Sequence, residues 1–154
     1  MAKEIMDRRA SDNVYLHKDF HGALSVGIDF LHERYGADSV REYLRQFTLA
    51  YYAPLKEKLA QEGLPALKEY YEEVYGAEGG DIDVELTDNE LVVSVQSCPA
   101  VTHMRAHGYK VAALFYETVK TVNESLCEGT PFSAELDEYD EATGRSVQRF
   151  FRQM

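Results

Sequence analysis

The chain predicts an α+β domain, with N-terminal helices packed on a four-stranded antiparallel sheet of ββ-α-ββ order. Three observations lead there. Apolar residues recur at helical spacing through the first half. After Gly79-Gly80 the period switches to strict alternation. Two pairs of alternating runs, each joined by a short polar turn, then flank another helical stretch. A chain of 154 residues is ample for one core and short for two. We therefore expect a single domain, with a helical half over about residues 1–78 and a ββ-α-ββ half over about 79–154.

In the first helix, Leu16, Phe20, Leu24, Gly27, Ile28, Leu31 and Tyr35 recur at helical spacing. Asp12 or Asn13 is placed to cap its start, and Gly36 to stop it. A second helix opens at Asp38-Ser39, with Val40, Leu44, Phe47, Tyr51 and Leu55 on one face. Pro54 falls inside that pattern and should kink or divide it. Gly63 ends it. Pro65 suits the first turn of a third helix running to about Tyr75.

Ile82, Val84 and Leu86 alternate with acidic residues as in a half-exposed strand. Thr87-Asp88-Asn89-Glu90 reads as a turn, and Leu91 to Ser97 as a more buried returning strand. Pro99 opens a short helix interrupted at Gly108. A longer helix follows, with Val111, Phe115, Val119, Val122 and Leu126 inward and Gly129 at its end. Phe132, Ala134 and Leu136 begin a second hairpin, which turns through Asp140 to Gly144 and closes over Ser146 to Arg152.

The formal net charge is −11, and no basic stripe offsets it, so nucleic acid is an unsuitable partner. No apolar run approaches the ~20 residues needed to cross a bilayer, and no secretory signal is visible near Met1. A cytoplasmic setting is the expectation. The two cysteines, Cys98 and Cys127, are too few for a disulfide framework, and no C-x-x-C suggests a zinc knuckle.

Chemistry concentrates at Ser97 to Gly108. Cys98 ends a strand and precedes a helix, where exposed N–H groups favour a thiolate. The functional reading is a nucleophile; the alternative is a small buried hydrophobe. Cys127, near a helix end, reads as core. Four of the five histidines form two i,i+4 pairs, His17 with His21 and His103 with His107. Rings at that spacing lie ~6 Å apart on one face and can chelate a metal ion. If the two helices meet, His17, His21, His103 and His107 would converge on a divalent ion such as zinc. In a metal-free arrangement, His21 or His103 would serve as the base for Cys98. The third possibility is histidines without chemistry. Gly22 and Gly27 would permit close helix packing or ligand approach.

The strand leading into Cys98-Pro99-Ala100, then His103, then a helix and a closing hairpin with Gly144 before Arg149-Phe150, resembles the small α+β proteins grouped with L-2-amino-thiazoline-4-carboxylic acid hydrolase. It has a fainter likeness to the vinyl-reductase-type ligand-binding domains. The hydrolase resemblance implies opening of a small sulfur-nitrogen ring or a related C–N bond, with Cys98 and His103 as the residues carried over. Those groups often carry a cysteine after the final glycine, where this chain has Ser146, which argues against a multi-cysteine metal site.

Three functions stay open. The first is a small-molecule hydrolase acting on a C–N bond, by Cys98 attack or by a histidine-bound metal that activates water, with His21 or His103 moving the proton. The second is a non-catalytic sensor or carrier domain that holds a small ligand or metal. The third is an interaction protein that forms a homodimer through its helical half, without a small-molecule site.

Overall fold

The computed structural model describes residues 19–153. Helix α1 (Asp19–Tyr35) is followed by α2 (Ala37–Tyr51), α3 (Ala53–Glu62) and α4 (Leu64–Glu78). The expected capping residues Asp12 and Asn13 lie outside the described residues. Pro54 divides the second helical pattern rather than kinking it: the chain breaks at Tyr52, and the proline stands in the first turn of α3. There its missing N–H costs nothing, because first-turn N–H groups have no intrahelical partner. Helix α4 continues through Gly76 to Glu78 before Gly79 closes it in the left-handed region. That extra turn, not anticipated from the sequence, carries a carboxylate that matters below.

Strands β1 (Asp81–Leu86), β2 (Glu90–Ser97), β3 (Phe132–Tyr139) and β4 (Ser146–Arg152) form one antiparallel sheet in the order β1-β2-β4-β3. The α+β class and the four-stranded antiparallel sheet read from the sequence are the architecture observed. Leu91, Val93 and Val95 of β2 and Phe150 of β4 are buried on the helix-facing side. The opposite face carries polar residues, among them Arg149, which pairs with Glu135 and donates from Nε to Asp137 at 3.1 Å. This is the alternation of a sheet covered on one side.

Helix α5 (Pro99–Ala106) and helix α6 (Glu117–Cys127) connect β2 to β3. The last helix begins six residues later than Val111, where the sequence pattern placed it. Residues 109–112 run without regular structure and 113–116 form turns instead, the segment held against α1 by the buried Ser25. Its hydroxyl donates to Lys110 O at 2.9 Å and accepts from Ala112 N–H at 2.8 Å. Among the described residues, no helix is long and apolar enough to cross a membrane.

The apolar interior has two clusters. One joins α3 and α4 to the sheet through Leu59, Leu67, Leu91, Val93 and Phe150. The other joins α1 and α2 to α5 through Ile28, Leu44, Val101 and Met104. A buried polar layer accompanies them. The Tyr71 hydroxyl lies 2.8 Å from Gln148 Oε1 and 3.0 Å from Asn123 Oδ1. Asn123 Nδ2 donates to Gln148 Oε1 at 2.8 Å, and Gln148 Nε2 donates to Ser146 Oγ at 3.1 Å. The network ties α4, α6 and β4 together with directional bonds that apolar contact cannot supply. Gln148→Met should leave the Tyr71 hydroxyl and the Asn123 amide short of a partner. We expect a loss of about 1–3 kcal/mol in urea melts, against less than 0.5 kcal/mol for the exposed Glu57→Gln.

Candidate functional site

Cys98 is the residue before the first turn of α5, with extended backbone angles φ −82° and ψ 121°. Two main-chain bonds fix it. Its N–H donates to Thr143 O at 3.1 Å, and its carbonyl accepts from Thr102 N–H at 2.9 Å. The first bond comes from the β3–β4 turn, which Asp140 shapes by accepting from Gly144 N–H at 2.7 Å on its carbonyl and from Ala142 N–H at 2.9 Å on its carboxylate. Gly144 presses directly on the site. A Cβ built there would collide with Cys98 Cβ and stand 2.9 Å from Val101 Cγ2, and its φ of 71° already excludes most side chains. The other side is equally close. A Cβ on Gly80 would lie 2.6 Å from the Tyr75 ring and 3.1 Å from Pro99 Cγ, so the end of α4 meets the start of α5 across a bare glycine.

The sulfur therefore sits at a seam where α4, α5 and the β3–β4 hairpin meet. Tyr75, Tyr139 and Glu78 lie within electrostatic reach, so a charge on any of them would make it harder to charge the sulfur. Tyr139 reaches this face through a β-bulge. The register slips between Leu136 and Glu138, which pairs Tyr139 with the buried Ser146. Without the slip, the alternation of Phe132, Ala134 and Leu136 would turn Tyr139 to the outer face.

Burial pushes the Cys98 thiol up from its ordinary value. The main-chain N–H groups of Val101 and Ala100 pull it down, as expected of a helix start, and the Glu78 carboxylate pushes it up again. The net direction is upward, so the activated thiolate expected from the sequence is not the resting state; the thiol is neutral. Burial likewise raises the phenols of Tyr75 and Tyr139, which remain hydrogen-bond donors. Cys127, read as core, is buried, and its thiol is pushed up to about 12.

The histidines separate. His21 Nε2 lies 3.5 Å from Glu78 Oε1, joining α1 to the last turn of α4. His103 and His107 stack on one another with ring centroids 4.1 Å apart, and the Tyr109 ring lies 6.2 Å from the former and 5.7 Å from the latter. His107 Nδ1 is 2.9 Å from His103 O, which orients that ring. His17 lies outside the described residues. Among the described residues, no group of three His, Cys, Asp or Glu side chains could hold a metal ion, so His21, His103 and His107 do not converge as the sequence suggested. His103, expected as a base for Cys98, packs beside the His107 and Tyr109 rings. The charged group that acts on the thiol is Glu78, partnered by His21.

Sequence reasoning missed Glu78, Tyr75 and Tyr139. Ending α4 at about Tyr75 hid the first, and the bulge hid the last. Glu117 was also passed over. It is 1% exposed, accepts from Arg41 Nε at 3.0 Å and from Thr121 Oγ1 at 2.6 Å, and anchors α6 to α2. An open groove of about 580 Å³ lies near it, between α2, α6 and the start of β3, away from Cys98. No protein-family model matches the chain, and no curated protein is detectably similar to it.

Two expectations follow from this geometry. Gly144→Ala combines left-handed strain with a collision and should cost about 2–4 kcal/mol. Gly79→Ala, at φ 72° with nothing within 4 Å, should cost only the conformational part, about 1–2 kcal/mol in the same denaturant melts. A raised thiol means that alkylation of Cys98 stays slow at pH 7–8 and climbs only above the ordinary cysteine value of about 8.5. Glu78→Gln should move that profile to lower pH. Above pH 8.5 the unfolded chain loses this proton before the native one, so native stability falls as pH rises there. Melts of Cys98→Ala across pH 8–10 should show a shallower fall.

Proposed function

We propose that this protein is a small-molecule hydrolase acting on a C–N bond, with Cys98 as nucleophile and Glu78 as its proton acceptor. What supports this reading is the close meeting of α4, α5 and the β3–β4 hairpin around one half-buried thiol, with a carboxylate, the His21 that partners it and two phenols within electrostatic reach. The resemblance to the amino-thiazoline carboxylate hydrolases suggests a small cyclic amidine or related compound as substrate. Cys98 Sγ attacks the ring carbon while its proton passes to Glu78. The C–N bond breaks, and the leaving nitrogen takes the proton back. Water then adds to the thioimidate carbon so formed as Glu78 takes its proton, the C–S bond breaks, and Glu78 returns the proton to the departing Cys98 sulfur. His21 holds the carboxylate in place. Tyr75 and Tyr139, kept neutral by burial, donate hydrogen bonds to the heteroatom that gathers negative charge. A neutral resting thiol suits this cycle, because the carboxylate takes the proton only as the bond to carbon forms.

A divalent ion such as zinc at His103 and His107 would need a further ligand from outside the described residues, where His17 lies. A cytoplasmic setting fits two free thiols. The second reading, a domain that holds a small ligand without turnover, is favoured by the upward shift of the thiol, which leaves little nucleophile at neutral pH.

The test is turnover of a panel of cyclic amidines and thiazolines, followed by loss of ring ultraviolet absorbance. Cys98→Ser and Glu78→Gln should each lower kcat by about 100-fold or more with circular dichroism unchanged. Wild-type turnover in Cys98→Ser would contradict the mechanism. A compound that raises the melting temperature and is never consumed would move the assignment to the binding domain.

A further inference from the structure

Helix α1 is apolar on more than its buried side. Ile28 and Ser25 face inward, and Leu24 and Leu31 pack against the cluster around Val40 and Met104. The outer arc carries Phe20, Ala23, Val26, Gly27 and Phe30, all exposed. Phe20 is 56% exposed, Val26 70% and Phe30 48%. A helix that is hydrophobic all round is normally covered on every side. From Phe20 to Ile28 the sequence has no Asp, Glu, Lys or Arg, in a chain whose net charge is −11.

We propose that this arc is a homodimer interface, formed by two copies of α1 packing antiparallel about a twofold axis near Gly27. Charge identifies the occupant. A second copy can approach the uncharged run from Phe20 to Ile28 without bringing carboxylates together, which matters in a chain of net charge −11. Orientation follows from the charged end of the arc, at Glu33 and Arg34. Antiparallel packing about Gly27 separates the two Glu33 side chains by ~18 Å along the helix axis, beyond the ~8 Å Debye length; parallel packing would place them side by side. It also brings Arg34 of the second copy to Phe20. Within one chain, Arg34 already stacks on the Phe30 ring at 4.8 Å, so the guanidinium is accustomed to an aromatic face. Gly27 has nothing within 4 Å, which lets the two backbones approach at the axis. Each exposed Phe offers roughly 100 Å². With Val26 and the adjoining Tyr109 edge, the apolar contribution is about 400 Å² per copy, half of the ~800 Å² of a standard interface. Flanking Ala23 and Arg34 add to it, and a contact of this size is a weak, concentration-dependent one. Phe20 lies edge-on to His21 at 6.3 Å, so the dimer contact borders the His21–Glu78 pair.

The test is sedimentation equilibrium of the full chain from 1 to 200 μM, with two variants. The wild type should approach twice its 17.5 kDa mass across this range. Val26→Glu, at a site too exposed to disturb folding, should weaken association by tenfold or more. Gly27→Cys should form a disulfide-linked dimer under mild oxidation, while Ala60→Cys on the exposed side of α3 should not. A wild type that stays monomeric at 200 μM, a dimer indifferent to Val26→Glu, or equal cross-linking of the two cysteine variants would overturn the proposal. A monomer whose Gly27→Cys thiol resists alkylation would also overturn it, and would assign the arc to the chain's own residues 1–18.

Discussion

The absence of a side chain at Gly144 is the constraint on which the arrangement around Cys98 depends. The β3–β4 turn lies so close to the start of α5 that even one methyl group would strike Cys98 and Val101. That closeness lets Thr143 O accept the Cys98 N–H, which fixes the first residue of α5 to the hairpin rather than to its own strand alone. Gly80 makes the matching allowance on the other flank, where Tyr75 and Pro99 close over it. Two bare positions therefore let three elements close on the start of α5. Either gap, once filled, would push the helix start outward and disperse the surrounding groups.

The thiol's resting state follows from the relative size of two opposing effects. A helix N-terminus contributes about 0.3–1 kcal/mol toward a negative charge, less than one pKa unit. Removing the sulfur from water opposes this by up to several units, and the nearby Glu78 carboxylate adds to the opposition. Burial wins. A cysteine at the start of a helix is therefore an incomplete signature of a reactive thiol; how deeply the neighbouring turn covers it decides the sign. The same enclosure keeps Tyr75 and Tyr139 neutral, so the seam offers donors and one carboxylate in place of a preformed thiolate.

Much of the fold was legible because periodicity and breakers agree. Gly36, Gly63, Pro54 and Pro65 mark real helix boundaries, and the alternation of Ile82, Val84 and Leu86 marks a real strand. Helix α6 was misread at its start because Val111 and Phe115 continue an apolar spacing through a segment that Ser25, distant in sequence, helps to hold in place. Its inner face was legible in part: Phe115 and Leu126 are buried and Val122 packs on the core, but Glu117, Thr121 and Asn123 are buried as well, through bonds among themselves and to Arg41, Tyr71 and Gln148, and polarity in sequence says nothing about such partners. Cys98 was found because its place between strand and helix is local information. Glu78, Tyr139 and the true partner of His21 were not, since an extra helical turn, a bulge and a contact between α1 and α4 set them. Spacing of i,i+4 correctly joined His103 to His107 but could not say that His21 would turn to a carboxylate.

Hydrogen exchange at the Cys98 amide tests the central claim, that the hairpin turn and the start of α5 behave as one fixed unit. If Thr143 holds that N–H as described, it should exchange only in the opening that also exposes Val93 and Phe150 in the middle of the sheet, with a similar free energy. An amide that exchanges several kcal/mol more easily than those strand positions would mean that the helix start moves independently of the hairpin. The thiol, the carboxylate and the phenols would then not form a lasting site.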